Sequence, residues 1–207
     1  MEVVVNQKFY DLDQIKQDKI KYAGYKVFAE HTYKKASMQT LAEEAGISKA
    51  LIFHYFKNKM TLYNWLFQEA YKEINVMNEM TIEKNCDFFD LIDEIIIKRL
   101  EKMKMYQVIY SFIERVYNEA MLIDKSDIFI KIHDLNMKRR QTILTNVDAS
   151  KFKTPKDIEL LYDMILDLSN GYYMKMRQAD FRNEEVLGPY KKYLHSLKSH
   201  YYKEAFL

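Results

Sequence analysis

The chain has 207 residues, 48% apolar and 14% aromatic, enough for a sizeable core, with only four Gly and two Pro. That composition excludes disorder, collagen-like repeats and a fold built from many tightly turned strands. A single cysteine, Cys86, excludes a disulfide scaffold and points to a reducing, cytoplasmic setting.

Net charge is +2, but it is unevenly spread: residues 1–60 carry ten Lys and seven acidic groups, a surplus of +3, while residues 61–207 come to −1. A polyanion is therefore expected at the first sixty residues. The longest charge-free stretches, Met60–Gln68 and Met105–Ile113, are nine residues each, half of what a bilayer crossing needs. Met1–Val5 lacks the basic flank and apolar length of a signal peptide.

In chain order, Ile20, Ala23, Gly24, Val27 and Phe28 draw one apolar stripe and predict a first helix ending near His31 and Thr32. Ser37 is a candidate N-cap for a short second helix with Met38, Leu41, Ala42 and Ala45 on one face. Gly46 ends it, Ile47 plugs the turn, and Ser48 caps a third helix over Lys49–Phe56. Longer helices are predicted at about 60–80, 88–104, 106–122, 127–147, 155–179 and 189–205. The fifth of these starts at Thr154-Pro155-Lys156-Asp157, and Pro189 is expected to break or kink any helix begun before it. The fold expected is all-α with about nine helices, divided into residues 1–60 and 61–207.

The second and third helices, joined by Ala45-Gly46-Ile47-Ser48, describe a helix-turn-helix whose third helix can enter a DNA major groove. Ile52, Phe53 and Phe56 read as core, packed on Val27, Leu41 and Ala45. Ala50, Leu51 and His54 are expected to point outward, with Tyr55 on the flank. Lys49, Lys57 and Lys59 bracket the helix, near a helix start whose free N–H groups favour phosphate.

The string Leu41-Ala42-Glu43-Glu44-Ala45-Gly46-Ile47-Ser48-Lys49-Ala50-Leu51-Ile52-Phe53-His54-Tyr55-Phe56-Lys57-Asn58-Lys59, with Phe28-Ala29-Glu30, Tyr33 to Met38 and Leu62-Tyr63, resembles the DNA-binding domain of TetR-family transcriptional regulators over roughly residues 14–64. The sequence departs from the pattern at Thr32 and Ala50, where Gly is common. The resemblance implies that Ser37, Ser48, Lys49, His54, Tyr55 and Lys59 touch the DNA backbone and that Ala50 and Leu51 face base edges. His54 also reads as a plain surface residue and Tyr55 as packing. The recognition helix has no Arg, Asn or Gln for a bidentate base contact, so specificity would rest on apolar contacts such as Leu51 with thymine methyls, on Lys49 and on DNA shape.

The same resemblance implies that residues 61–207 sense a ligand and dimerise, the last two helices pairing across a two-fold axis. The apolar and tyrosine-rich stripes of those helices permit this, and Gly171 leaves room for a partner backbone. The expected protein is a homodimeric repressor that binds a palindromic operator and is released by a small, moderately hydrophobic effector. Candidate effector contacts are Tyr106, Tyr110, Tyr117, Phe129, His133, Asn136, Arg140, Tyr173 and Met176. An enzyme is the competing reading, yet the sequence holds no Gly-rich phosphate loop, no His-Glu-x-x-His, no Cys pair and no nucleophile elbow. No catalytic residue, cofactor, metal or membrane is expected. A helical protein-interaction module is a third reading, but it leaves the recognition-helix string unexplained.

Overall fold

The computed structural model describes residues 4–77, 81–123, 127–178 and 184–207. Among these the regular structure is ten α-helices, with two short 3-10 turns and two isolated β-bridges. The helices are α1 (Gln7–Tyr10), α2 (Gln14–Glu30), α3 (Met38–Ala45), α4 (Lys49–Phe56), α5 (Lys59–Met77), α6 (Phe88–Met105), α7 (Gln107–Ile123), α8 (Asp127–Asn146), α9 (Asp157–Gln178) and α10 (Glu184–Tyr201). α1 is a single turn, too short to show a helical period in the sequence.

Packing divides the chain into two compact units, one of Met1–Glu79 with Met105–Asp134, the other of Met80–Lys104 with Leu135–Leu207. In the first unit α2 begins at Asp13, whose carboxylate accepts the Lys16 N–H at 2.9 Å. Its stripe of Ile20, Ala23, Gly24, Val27 and Phe28 is buried as the periodicity requires. The unit also takes in α5 and α7, beyond the segment 1–60 read as one domain. The reason is core filling: Phe112 of α7 is wholly buried, with its ring 5.3 Å from Tyr25 and 5.8 Å from Tyr63. Burying a phenylalanine of this kind is worth about 1.5–3 kcal/mol. At Gly24 a Cβ would lie 2.5 Å from Leu66 Cδ1, so the missing side chain is what lets α5 seat its buried leucine against α2.

The second unit is pinned at the start of α6. Asp87 accepts the N–H groups of Phe89 and Asp90 at 3.0 and 3.2 Å. Its other oxygen meets Lys151 Nζ at 2.9 Å. Beside it Tyr202 is buried against Phe152 and Phe89, at 4.8 and 5.1 Å between rings, and its hydroxyl accepts the Phe88 N–H at 3.2 Å. Cys86 is half-buried, and burial pushes its thiol pKa up.

Two helices begin elsewhere than the sequence predicts. The helix expected from Pro155 begins at Asp157, because the N–H groups of Asp157 and Ile158 bond to Thr154 O and Pro155 O in a preceding turn. The last helix begins at Glu184, and Pro189 lies inside it. The proline removes one ladder bond close to the helix start. The buried side chains of Tyr190 and Leu194 hold the helix together past it.

Candidate nucleic-acid interface

The helix-turn-helix is fixed by local hydrogen bonds that its sequence encodes. Ser37 Oγ accepts the Thr40 N–H at 3.2 Å and starts α3. Gly46 closes it in the left-handed conformation, φ 70° and ψ 29°. Its N–H bonds to Glu43 O and the Ile47 N–H bonds to Ala42 O, both at 3.0 Å. Those two bonds make a Schellman motif, which satisfies carbonyls the helix leaves open. Ser48 Oγ then accepts the Leu51 N–H at 3.2 Å and starts α4 two residues after the glycine.

Along α4, Ile52, Tyr55 and Phe56 are buried at an i, i+3, i+4 spacing, while Lys49, Ala50 and His54 are exposed. Leu51 and Phe53 are half-buried and pack against the same core. Ser37 and Ser48 are exposed as well. Among the residues expected to touch phosphate, Ser37, Ser48, Lys49 and His54 thus stand on accessible surface, and Ala50, expected at base edges, is exposed too.

Two of the expected contacts are placed otherwise. Tyr55 is 7% exposed and packs edge-on against Phe9, 5.8 Å between rings, so it belongs to the core and not to the flank. Lys59 is half-buried, its ammonium donating to Ala36 O and lying 4.9 Å from the centre of the Tyr33 ring. Burial holds its pKa below the ordinary lysine value. The charge is spent on the turn before α3, whose geometry it supports.

That turn has further support from α7. Glu119 accepts the Tyr33 N–H through both carboxylate oxygens at 3.1 Å, and Arg115 donates to Ala29 O at 3.4 Å. No sequence signal pairs these residues, which stand 86 positions apart. Asn6, also missed from sequence, donates to the last turn of α4.

The model of bacterial regulatory proteins of the tetR family matches residues 22–65. The segment that holds α3 and α4 is thus similar to the DNA-binding part of the TetR family. A TetR-type relative, the HTH-type transcriptional regulator YhgD of Bacillus subtilis (strain 168), is 28% identical over 86 residues, 42% of this chain and 45% of that protein. The chain thus aligns with less than half the length of this curated relative. Solved TetR-family structures extend the likeness to the whole fold. A TetR-like regulator from Rhodococcus sp. RHA1 matches at TM-score 0.67 and 16% identity, over 90% of this chain and 95% of that one. The ketosteroid transcriptional regulator KstR2 of Mycobacterium tuberculosis matches at 0.66 and 16%, over 93% and 97%. MexZ, a repressor of Pseudomonas aeruginosa, matches at 0.65 and 16%, over 90% and 95%.

The residues expected to line an effector pocket fall in both units of the chain. Tyr106 and Tyr117 are 36% and 38% exposed, Tyr110 is half-buried, and His133 and Asn136 are exposed. Arg140 is engaged with acids of α9, Asp163 at 3.0 Å and Glu159 at 3.1 Å, which gives its guanidinium a structural task. The side chains of Phe129, Tyr173 and Met176 lie outside the described residues. An open groove of about 530 Å³ lies elsewhere, between the approach to α9 and the end of α10, lined by Lys153, Thr154, Asp157, Ser196, His200 and Tyr201 among others.

Proposed function

We propose that this chain is a transcriptional repressor that binds a palindromic DNA operator as a homodimer and leaves it when a small, moderately hydrophobic effector binds residues 61–207. The observation that carries the reading is the exposed face of α4. Ser48, Lys49, Ala50 and His54 stand together on a short helix whose other side is locked into a core. Cations and hydroxyls hold register on phosphates, while the small Ala50 lets the helix approach the groove floor.

Dimerisation is assigned to α9 and α10. Leu160 and Met164 of α9 are 60% and 45% exposed, and Tyr193 of α10 is 48% exposed. Gly171 is exposed on α9 with nothing within 4 Å of where its Cβ would lie. An apolar face of this kind suits a second copy, which would set two recognition helices about 34–36 Å apart, one turn of DNA. That MexZ is a repressor supports the sign of the response. Release follows if the effector binds better to a conformation whose recognition helices no longer match that spacing.

Selecting bound fragments from random double-stranded DNA tests the proposal. A palindrome with half-sites about one turn apart supports it. Recovery of fragments with no shared sequence refutes it.

A further inference from the structure

The recognition helix is only eight residues long, and its end is held by a segment far away in the chain. An α-helix leaves its last four carbonyls without partners of its own. Here each has one. Phe53 O accepts the Lys57 N–H at 2.8 Å and Phe56 O accepts the Asn58 N–H at 2.5 Å, both from the residues that follow. The other two are answered by Asn6, 48 positions before His54. Its side-chain amide donates to His54 O at 3.2 Å, and its backbone N–H donates to Tyr55 O at 2.9 Å.

The amide is used at both ends. Asn6 Oδ1 accepts the Lys8 N–H at 3.0 Å and starts α1. Phe9 of α1 is wholly buried and anchors the segment, its ring 4.9 Å from those of Phe56 and Trp65. The backbone after α4 gives the helix little help. Lys57 lies at φ 61° and ψ −50° inside a γ-turn closed by the Asn58 N–H, a conformation strained for an L residue. A helix this short is not stable by itself, so its direction depends on what grips its ends.

We propose that Asn6, seated by Phe9, is a positioning residue for DNA recognition: by capping His54 and Tyr55 it fixes the end of α4 and the angle at which Lys49, Ala50 and His54 meet the groove. This rests on the reading of α4 as the DNA-contacting helix. Asn6→Asp separates the two duties of the side chain. Aspartate is as good an N-cap as asparagine, so α1 keeps its start. The donor to His54 O is replaced by an acceptor, and a negative charge is set at a helix C-terminus, where it is disfavoured. Asn6→Ala removes both bonds of the side chain without adding charge.

The probes are the duplex that the wild-type protein enriches from a random pool and a random-sequence duplex of the same length. In both variants the ratio of affinity for the enriched duplex to that for the random one is expected to fall by about tenfold. Binding to the random duplex serves as the internal measure of folded protein. An unchanged ratio, a ratio that falls in Asn6→Ala but not in Asn6→Asp, or an equal loss on both duplexes overturns the proposal while leaving the DNA-binding reading intact. If the wild-type protein enriches no duplex at all, that reading fails and this one with it.

Discussion

Glu119 accepts the backbone N–H of Tyr33 through both of its carboxylate oxygens, each at 3.1 Å. The bond ties α7 to the turn between α2 and α3, immediately before the cap at Ser37. A charge-assisted bond to a half-buried N–H has no local substitute, so its removal leaves a donor without a partner. Glu119→Ala is expected to lower stability by about 1.5–3 kcal/mol in urea unfolding. Glu119→Gln keeps one acceptor and is expected to lose less. Equal losses for the two variants would show that the retained acceptor and packing contribute nothing and that the carboxylate charge carries the effect.

Asp87 gives a pH signature. Burial raises its pKa, but the bond from Lys151, the Asp90 N–H and the charge of Lys198 outweigh that, and the net shift is downward from the ordinary 3.8. A carboxyl with a depressed folded pKa contributes stability that is present above its unfolded value and lost as pH falls through its folded one. Asp87→Asn is therefore expected to be less stable than wild type at pH 7, by about 1–3 kcal/mol from the lost bonds. The gap should close as pH drops below 3.8, where the wild-type group also takes up its proton. Urea unfolding of both proteins across acid pH checks this. A gap independent of pH would remove the charge from the explanation.

Lysines 49 and 59 separate by task. Lys59 stood in the sequence as a phosphate contact, but its ammonium is occupied by Ala36 O and the Tyr33 ring. Lys59→Ala is expected to lower the melting temperature while leaving the salt dependence of DNA binding nearly unchanged. Lys49 is exposed at the first turn of α4. Lys49→Ala is expected to leave melting unchanged and reduce the salt slope by about 1. The reverse pattern would return Lys59 to the phosphate backbone.

Much of the DNA-binding fold was legible in sequence because its determinants are local. Ser37, Gly46 and Ser48 each act within a few residues of themselves, and their caps stand where the residue types require. What was not legible depends on distant partners. The turn at Gln7–Tyr10 is too short to show a helical period, and Phe9 is buried by Phe56 and Trp65, which no local pattern connects to it. A lysine after a helix reads alike whether it faces phosphate or, like Lys59, a carbonyl 23 residues back. The start of α10 is hidden for a related reason: Pro189 is a local signal against helix, and the burial of Tyr190 and Leu194 overrides it. The ion pairs of Arg140 with Glu159 and Asp163 were equally hidden, because those partners lie on another helix.

The most direct test of the DNA-binding account is titration of the Ala50→Glu protein with the duplex that wild type enriches. Ala50 is the second residue of α4 and exposed, so the glutamate disturbs no core. An acid near a helix N-terminus is also favourable to the helix. The variant is expected to melt like wild type, yet its new charge would face the DNA, and binding should weaken by about tenfold or more, as for a mismatch in the site. Wild-type affinity in a folded Ala50→Glu protein would contradict the claim that this face of α4 reads DNA.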